Sequence, residues 1–524
     1  MSYYFKSENS VLRDEQEDAQ SRMKTDCWIF ILLLLAIAIV PLIVGGHVEN
    51  IVAPYITNID LLNAGLKVDI FTHYKMIILL ILTVVSLALL LMKVFFMNGE
   101  IRNSKINIFI IIFAISISIS TILSPTVSIA LWGQYNRSDG AISYICYLTL
   151  FFVAMNIEYP KNAIQYIMYS LYPFILVNFI LITMNFSGYD AMNYKVVEKT
   201  MSLFLPSGAT LEEGSSLLGT LNQWNFMSGM FAVLTIMYLA WAIIDTHMIR
   251  SFLNIGVAVI TFAIMLMSVS TSGFLTIIVL IPFLIALLLK CKNSKKTIIA
   301  LLVFLIINIP VFHMLADKNP RVWDESIGVL LKKNPYIKEQ PVAIKSNEFK
   351  ILLENKVYAA ENHFELPELP ERDVSAGSGR AYIWQKTIDL AMERPLFGFG
   401  LDTLMYHFPH YNIDARAGMW DENKIVDKPH SMYVGIFYGT GIVGTIGFAG
   451  IVILTVFAAM RVVIRRKQSM VAVLAVGWLA FLFQALFNDS LPGTSGVYWT
   501  LAGMMIGMTF INNDNEEKID GRID

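Results

Sequence analysis

The sequence predicts an all-α polytopic membrane protein with about 12 transmembrane helices and a large external loop between helices 9 and 10. Of the 524 residues, 56% are apolar and only 15% are charged, a balance that soluble domains of this length do not normally have. The apolar residues form segments of roughly 18 or more residues with few charges, which is the length that an α-helix needs to cross a bilayer. The net charge of -2 gives no indication of a nucleic-acid partner.

The predicted spans divide the chain into five parts. Residues 1–26 are polar and rich in acids, unlike a signal peptide, so we expect a cytoplasmic tail there. Helices 1–9 fall within residues 27–316, residues 317–431 form an external loop domain, helices 10–12 fall within residues 432–511, and residues 512–524 form a second cytoplasmic tail. The individual spans are residues 27–46, 76–97, 106–124, 140–157, 163–184, 224–244, 251–268, 273–291, 298–316, 432–460, 470–487 and 494–511.

The distribution of Lys and Arg between the short connections predicts the orientation. Cytoplasmic connections of membrane proteins carry an excess of these residues. With both termini in the cytoplasm, the short external connections, which leave out the long stretch 317–431, contain only Lys67, Lys75, Arg137, Lys195 and Lys199. The shorter cytoplasmic connections contain Arg102, Lys105, Lys161, Arg250, Lys292, Lys295, Lys296, Arg461, Arg465, Arg466 and Lys467.

The same orientation places two polar stretches outside, residues 185–223 and residues 317–431. The second begins with a Lys/Glu-rich insert at 317–372, which ends in a stiff Pro/Glu spacer. An amphipathic helix is predicted near 380–393, with Ser378 as its N-cap and Pro395 after its end. Its apolar stripe, which includes Ile383 and Trp384, is suited either to the membrane surface or to packing on the loop's own domain.

The cysteines and acidic pairs do not indicate a metal site. Cys27, Cys146 and Cys291 lie in or at the ends of apolar segments without paired spacing, which argues against a disulfide framework and a zinc site. The adjacent acids at 212–213 and 421–422 are typical of solvated loops. We expect neither a metal ion nor another cofactor.

Three external segments combine basic residues with glycine or proline. Arg137 lies in Trp-Gly-Gln-Tyr-Asn-Arg-Ser-Asp-Gly (132–140), which otherwise predicts an interfacial turn. Arg380 begins the amphipathic helix, where a cation gains nothing from the helix dipole. If it has no function, it is an ordinary surface residue. Lys428, His430 and Ser431 lie in Lys-Pro-His-Ser-Met-Tyr-Val. If the histidine has no function, it is a solvated or capping residue at the start of a helix.

A histidine and two arginines at one membrane face would suit the transfer of a phosphate-activated group to a hydroxyl. The arginines would neutralise the charge that develops on a leaving pyrophosphate. The histidine, whose ordinary pKa is near neutrality, would accept the proton of the hydroxyl nucleophile.

The segment from Arg380 to Gly444 resembles the region shared by the O-antigen ligase and O-antigen polymerase (Wzy) superfamily. It contains Arg-x-x-x-Trp, Pro-Leu-Phe-Gly-Phe-Gly and a family-like His-[Asn/Ser/Gln]-x-x-Leu-x6-Gly motif. His430, Ser431 and Gly441 match that motif, with Val434 at the leucine position. Arg137, in an Arg-x-x-Gly context, resembles a further family feature.

The resemblance implies an inverting, metal-independent glycosyltransferase in the inner membrane of a bacterium. Its donor would be a glycan on a polyprenyl pyrophosphate, such as undecaprenyl pyrophosphate, and its acceptor a glycan or other hydroxyl compound. His430 and Arg380 would then be catalytic, and Arg137, Lys428 and Ser431 would contribute to substrate binding. The chain departs from the family at residues 271–273, where Thr-Ser-Gly replaces the Ser-Arg-Gly of many members.

Other functions remain compatible with parts of this pattern. A transporter or flippase of lipid-linked glycans would have a similar number of helices, but it would place ionisable residues near mid-membrane, and the predicted spans have almost none there. A cell-wall polymerase of the shape, elongation, division and sporulation type would rely on an external acid instead of His430. An inactive relative could act as a scaffold through its external loop.

Overall fold

The fold is known from a computed structural model, which describes residues 15–51, 65–206, 217–221, 223–291, 294–331, 333–337, 373–410, 412–419, 425–465 and 470–520. Residues 1–14, most of the predicted insert with its Pro/Glu spacer, and the acidic pairs at 212–213 and 421–422 lie outside these ranges. The predictions made for those residues therefore stay predictions.

The described chain is mostly helical, as predicted. Short 3-10 turns cover Val40–Leu42, Ala191–Asn193, Ile327–Val329 and Leu404–Tyr406. The helices are α1 (Glu15–Ala38), α2 (His73–Phe96), α3 (Lys105–Leu123), α4 (Val127–Trp132), α5 (Ala141–Met155), α6 (Ala163–Ser170), α7 (Tyr172–Phe186), α8 (Lys195–Met201), α9 (Trp224–Ile244), α10 (Met248–Met267), α11 (Thr271–Leu289), α12 (Ser294–Lys318), α13 (Arg321–Asp324), α14 (Arg380–Ala391), α15 (Ala415–Gly418), α16 (Met432–Arg465), α17 (Ala472–Gln484) and α18 (Pro492–Asp520).

Within the described ranges, 9 helical segments are long and apolar enough to cross a membrane. They comprise α1 with the turn after it, α2, α3, α6 together with α7, α9, α10, α11, α12 and α16. The predicted spans 140–157 and 470–487 correspond to the shorter apolar helices α5 and α17, and the span 494–511 lies within α18. The larger count of about 12 and the sidedness therefore stay predictions.

The prediction that the whole chain is α-helical missed one small sheet. Strands β1 (His47–Ile51) and β2 (Gly65–Asp69) pair antiparallel, with His47 opposite Asp69. The alternation of apolar and polar residues in Gly-Leu-Lys-Val-Asp is too short to stand out beside the long helices. The first helix also begins earlier than predicted, since α1 starts at Glu15 inside the expected tail.

Helix α9 lies at the centre of the bundle. Every residue of α9 from Phe226 to Ile244 is buried, which fits its apolar composition on all sides. It packs against α10, α11 and α17. Exposed apolar residues are instead found on the outer helices, such as Ile309 of α12 and Ile122 of α3, which are 69% and 74% exposed.

Helix α16 is broken at Gly441, and the segment 395–400 fills the break. Gly441 has φ 64° and ψ -164°, so its neighbours lose helical hydrogen bonds. The amides of Phe399 and Gly400 donate to the carbonyls of residues 438 and 439, and those of Ile442 and Val443 donate to the carbonyls of residues 395 and 396. Polar backbone inside a membrane protein needs such partners, because lipid offers none. The Pro-Leu-Phe-Gly-Phe-Gly motif is therefore a structural complement of the broken helix.

We expect Gly441→Ala to destabilise the protein strongly. The backbone of Gly441 lies in a region that is almost restricted to glycine, which costs other residues about 1–3 kcal/mol. An ideal Cβ would also lie 2.5 Å from the carbonyl atoms of Leu396. The midpoint of thermal aggregation in detergent, followed by size-exclusion chromatography, should fall clearly.

Gly256→Ala in α10 is the matched control for this substitution. A Cβ at Gly256 meets no atom within 4 Å, and alanine is the better helix former. The midpoint of this variant should be unchanged or slightly higher. Equal midpoints for the two variants would show that the break at Gly441 does not require glycine.

Candidate active site

His430 is held at the start of α16 in a left-handed conformation, with φ 55°. Two contacts fix the backbone around it. The indole Nε1 of Trp384, on α14, donates a 2.7 Å hydrogen bond to the carbonyl of Pro429. The amide of Met432 lies 3.0 Å from the carbonyls of both Ala485 and Asn488, just after α17. Two separate parts of the chain therefore position the imidazole.

The imidazole of His430 faces a buried carboxylate. Its Nδ1 lies 3.7 Å from Oδ2 of Asp489, and the two side chains are 30% and 5% exposed. This separation is too long for a hydrogen bond but close enough for electrostatic attraction. Burial lowers the pKa of His430 to about 4, with Lys428 and Arg380 adding to the effect and Asp489 opposing it. The imidazole is consequently neutral at pH 7 and able to accept a proton.

Arg380 is the first residue of α14, as predicted, and its guanidinium has no hydrogen bond or ion pair with the described residues. The side chain is half-buried. Burial lowers its pKa, and Asp489 acts in the opposite direction. A partly desolvated guanidinium without a partner is suited to an anionic ligand, since its planar fork matches phosphate oxygens.

The apolar stripe of α14 packs on protein, which was one of the two predicted alternatives. Tyr382, Ile383 and Ala391 belong to a buried cluster with residues of the segments 399–426 and with Tyr438 of α16. The predicted N-cap is wrong, because Gly379, with φ 88°, precedes α14 and Ser378 does not cap it. The hydroxyl of Ser375 instead accepts a hydrogen bond from the amide of Tyr382.

Arg137 lines a pocket together with Pro429, Ser431 and Asp489, but carboxylates already surround its charge. Its Nε is 2.9 Å from Oδ1 of Asp402, in a direction that does not form a hydrogen bond, and one Nη donates to the carbonyl of Asp427. The adjacent Ser138 hydroxyl contacts that of Thr72 at 3.1 Å, which ties the loop to the segment after β2. Arg137 therefore holds the carboxylates of Asp402 and Asp427 within the pocket.

Lys428 and Ser431 are both buried beside His430. The Lys428 Nζ lies 3.3 Å from Oε1 of Gln223 and 3.8 Å from Oδ2 of Asp427. It also lies 5.6 Å from the ring centroid of Phe226. Ser431 lines the same pocket as Arg137 and Asp489. The fold therefore gathers the sequence-predicted residues of three distant segments at one end of the bundle.

Sequence reasoning missed the acidic half of this site. Asp402, Asp427 and Asp489 all line the pocket. Asp489 follows α17 in a short connection between two apolar segments. A single acidic residue in such a connection is a sequence signal that could have identified it as a candidate site residue. Asp402 lies in a positive-φ position after the Pro-Leu-Phe-Gly-Phe-Gly motif, and no pattern in the sequence signals its pairing with Arg137.

At residues 271–273, where the chain departs from the family pattern, the side chains of Thr271 and Ser272 form polar contacts. The hydroxyl of Thr271 donates to the carboxylate of Glu325, which lies 3.7 Å from Nη2 of Arg321. The hydroxyl of Ser272 accepts a 3.4 Å hydrogen bond from Nε2 of Gln484. Gln484, the last residue of α17, also accepts a 3.3 Å hydrogen bond from Asn488, whose carbonyl contacts the amide of Met432.

One comparison with known proteins found a match to a family model. Residues 256–449 match the family model described as O-antigen ligase. The matched range includes Arg380, Lys428, His430 and Ser431, whereas Arg137 and Asp489 lie outside it. No curated protein matches the chain. Together with the motifs at the site, the match supports membership of the O-antigen ligase and polymerase superfamily, whose members are membrane proteins that handle glycans.

Proposed function

We propose that this protein is a glycosyltransferase that moves a glycan from a polyprenyl-pyrophosphate carrier to a hydroxyl acceptor. The observation that carries the proposal is the grouping of His430, Asp489 and Arg380: His430 faces the buried Asp489, and Arg380, which has no partner among the described residues, is close enough for its charge to act on His430. A base, a pyrophosphate-binding cation and a group that stabilises the protonated base are what this transfer needs.

The proposed reaction is a single displacement with inversion. The acceptor oxygen forms a bond to the anomeric carbon while the bond from that carbon to the pyrophosphate oxygen breaks. The hydroxyl proton moves to the ring nitrogen of His430 that does not face Asp489, and the carboxylate stabilises the resulting imidazolium. Arg380 neutralises the charge gained by the departing polyprenyl pyrophosphate, so this scheme assigns no step to a metal ion.

Lys428, Ser431 and Arg137 would complete the substrate-binding surface. Lys428 adds positive charge beside His430, the hydroxyl of Ser431 is a hydrogen-bonding group within the pocket, and Arg137 keeps Asp402 and Asp427 in place. In the proposed topology about 12 helices cross the inner membrane, both termini are cytoplasmic and the pocket opens outside. The acceptor decides whether the protein is a polymerase or a ligase.

Release of free carrier tests the proposal directly. The purified protein is incubated with a polyprenyl-pyrophosphate-linked oligosaccharide, and free polyprenyl pyrophosphate is measured by chromatography. We expect enzyme-dependent release that is coupled to formation of a larger glycan product. Movement of labelled donor between the leaflets of vesicles, without any carrier release from several donors, would instead identify a transporter.

The pH dependence of turnover should reflect the lowered pKa of His430. Only the neutral imidazole can accept the proton, so kcat/KM falls as the pH drops below the pKa of the free enzyme. An ordinary histidine, with a pKa of about 6.5, would be about one-tenth neutral at pH 5.5. Because the pKa here is lowered to about 4, kcat/KM at pH 5.5 should remain close to its value at pH 7.

The variant Lys428→Met provides a second test of the lowered pKa of His430. Lys428 lowers the pKa of His430, so its removal should move the acidic limb of kcat/KM to higher pH. An acidic limb near pH 6.5 in the wild type would contradict the lowered pKa of His430. A limb that Lys428→Met does not move would contradict the assignment of His430 as the proton acceptor.

A further inference from the structure

A second polar and apolar surface lies at the end of α16 remote from His430. Arg461 lies near the end of α16, and the part of α16 from Ile442 to Arg461 alone spans roughly 30 Å, about the thickness of the hydrocarbon core. There the start of α3, the end of α16 and α18 border a groove whose volume, its open mouth included, is about 620 Å³. Its lining residues are Ile106, Phe457, Ala458, Arg461, Val462, Ile506, Thr509 and Phe510.

The groove is continuous with an apolar outer surface. Along α16, Ile453 and Phe457 are more than half exposed. They are four residues apart and lie on the helix face that also carries Arg461. Phe457 lines the groove, and Ile453 extends its apolar wall by one turn of α16.

The mouth of the groove is positively charged. Arg461 lines the groove, and its side chain is exposed. Lys105 is also exposed and adjoins Ile106 at the start of α3. The guanidinium of Arg102 lies 5.8 Å from the ring centroid of Phe510, while it also donates to the carbonyls of residues 155 and 157. Apolar walls with cations at one end match a molecule that has an acyl chain and an anionic head.

We propose that this groove binds one anionic glycerophospholipid, with its acyl chain against α3 and α16 and its phosphate near Arg461 and Lys105. Basic residues at a membrane surface attract anionic lipids, and each adds a measurable share of the affinity. A zwitterionic lipid fills the same apolar groove but has no net charge to meet the cations. The proposal does not depend on the transferase function, because the groove and the His430 pocket lie at opposite ends of α16.

Lipid titration of the purified, delipidated protein tests the site. Phosphatidylglycerol and phosphatidylcholine with the same acyl chains are added separately, and bound lipid is counted by native mass spectrometry. We expect phosphatidylglycerol to bind more tightly, and Arg461→Gln to weaken its binding by about fivefold. Lys161→Gln is the matched control, because Lys161 is an exposed cation that does not line the groove, and it should leave binding unchanged.

Two further measurements separate the contributions of chain and head. Ala458→Trp should fill the groove and weaken the binding of both lipids, while glycerol 3-phosphate, which has no acyl chain, should not compete. Equal affinity for the two lipids, or equal effects of Arg461→Gln and Lys161→Gln, would overturn the proposal. Competition by glycerol 3-phosphate would assign the cations to a free phosphate instead. If Ala458→Trp fails to fold, Arg461→Gln decides alone.

Discussion

His430→Ala is expected to lower the rate of carrier release by about 10²–10⁴-fold, the usual contribution of a positioned acid or base. Its physical basis is the neutral imidazole at the pocket, which is the group best placed to take the acceptor's proton. The loss should appear in kcat as well as in kcat/KM, because proton transfer takes place in the transition state. The measurement is the time course of free polyprenyl pyrophosphate at saturating donor.

His313→Ala is the control for the loss of a histidine. His313 is exposed near the end of α12, and its Nδ1 lies 3.0 Å from the Tyr336 hydroxyl. Turnover of this variant should equal that of the wild type. A His430→Ala protein that elutes normally from size-exclusion chromatography and keeps full turnover would remove His430 from the mechanism.

Arg380→Ala is expected to lower turnover by about 10²–10³-fold, as observed when one preorganised donor to a developing negative charge is removed. Arg380 is the cation at this site without a partner among the described residues, so its charge is available to the leaving pyrophosphate. Arg380→Lys should restore part of the rate, since it returns the charge but not the two parallel hydrogen bonds of a guanidinium.

Lys386→Ala, on the same helix, separates the chemistry of Arg380 from the stability of α14. Lys386 forms a 3.0 Å ion pair with Asp414 and lies over the ring of Tyr382. Its removal perturbs α14 without touching the pocket, so turnover should stay within a few-fold of the wild type. Equal losses in the two variants would show that Arg380 acts by holding α14 in place.

The motif residues of the site could be predicted, while their electrostatic partners could not. Lys428, His430 and Ser431 are close in sequence, and Arg380 is marked by its position before an aromatic and glycine-rich pattern. Asp489 lies beyond α16 and α17, and its approach to His430 depends on how those helices pack. A three-dimensional contact between distant segments leaves no periodic signal in one sequence.

The alternatives left open for α14 were resolved by packing. As a sequence pattern, its apolar stripe is equally suited to a bilayer surface and to a protein surface. Packing decides between them, because Tyr382 and Ile383 are buried in one cluster with Phe399, Leu404 and Phe408. Similarly, the glycines of the family motif indicate an irregular backbone, but not that segment 395–400 supplies the hydrogen bonds missing from α16.

The sequence by itself determined a helical membrane protein, the approximate positions of its apolar helices, and the basic and histidine residues of one family-like site. These follow from local properties, because helix length, hydropathy and short motifs are properties of contiguous residues. Tertiary structure alone decided that Arg137 is surrounded by carboxylates, whereas Arg380 has no partner among the described residues, and that Asp489 faces His430. The charge available to a substrate is what remains after every internal pair has formed, and those pairs join residues far apart in the chain.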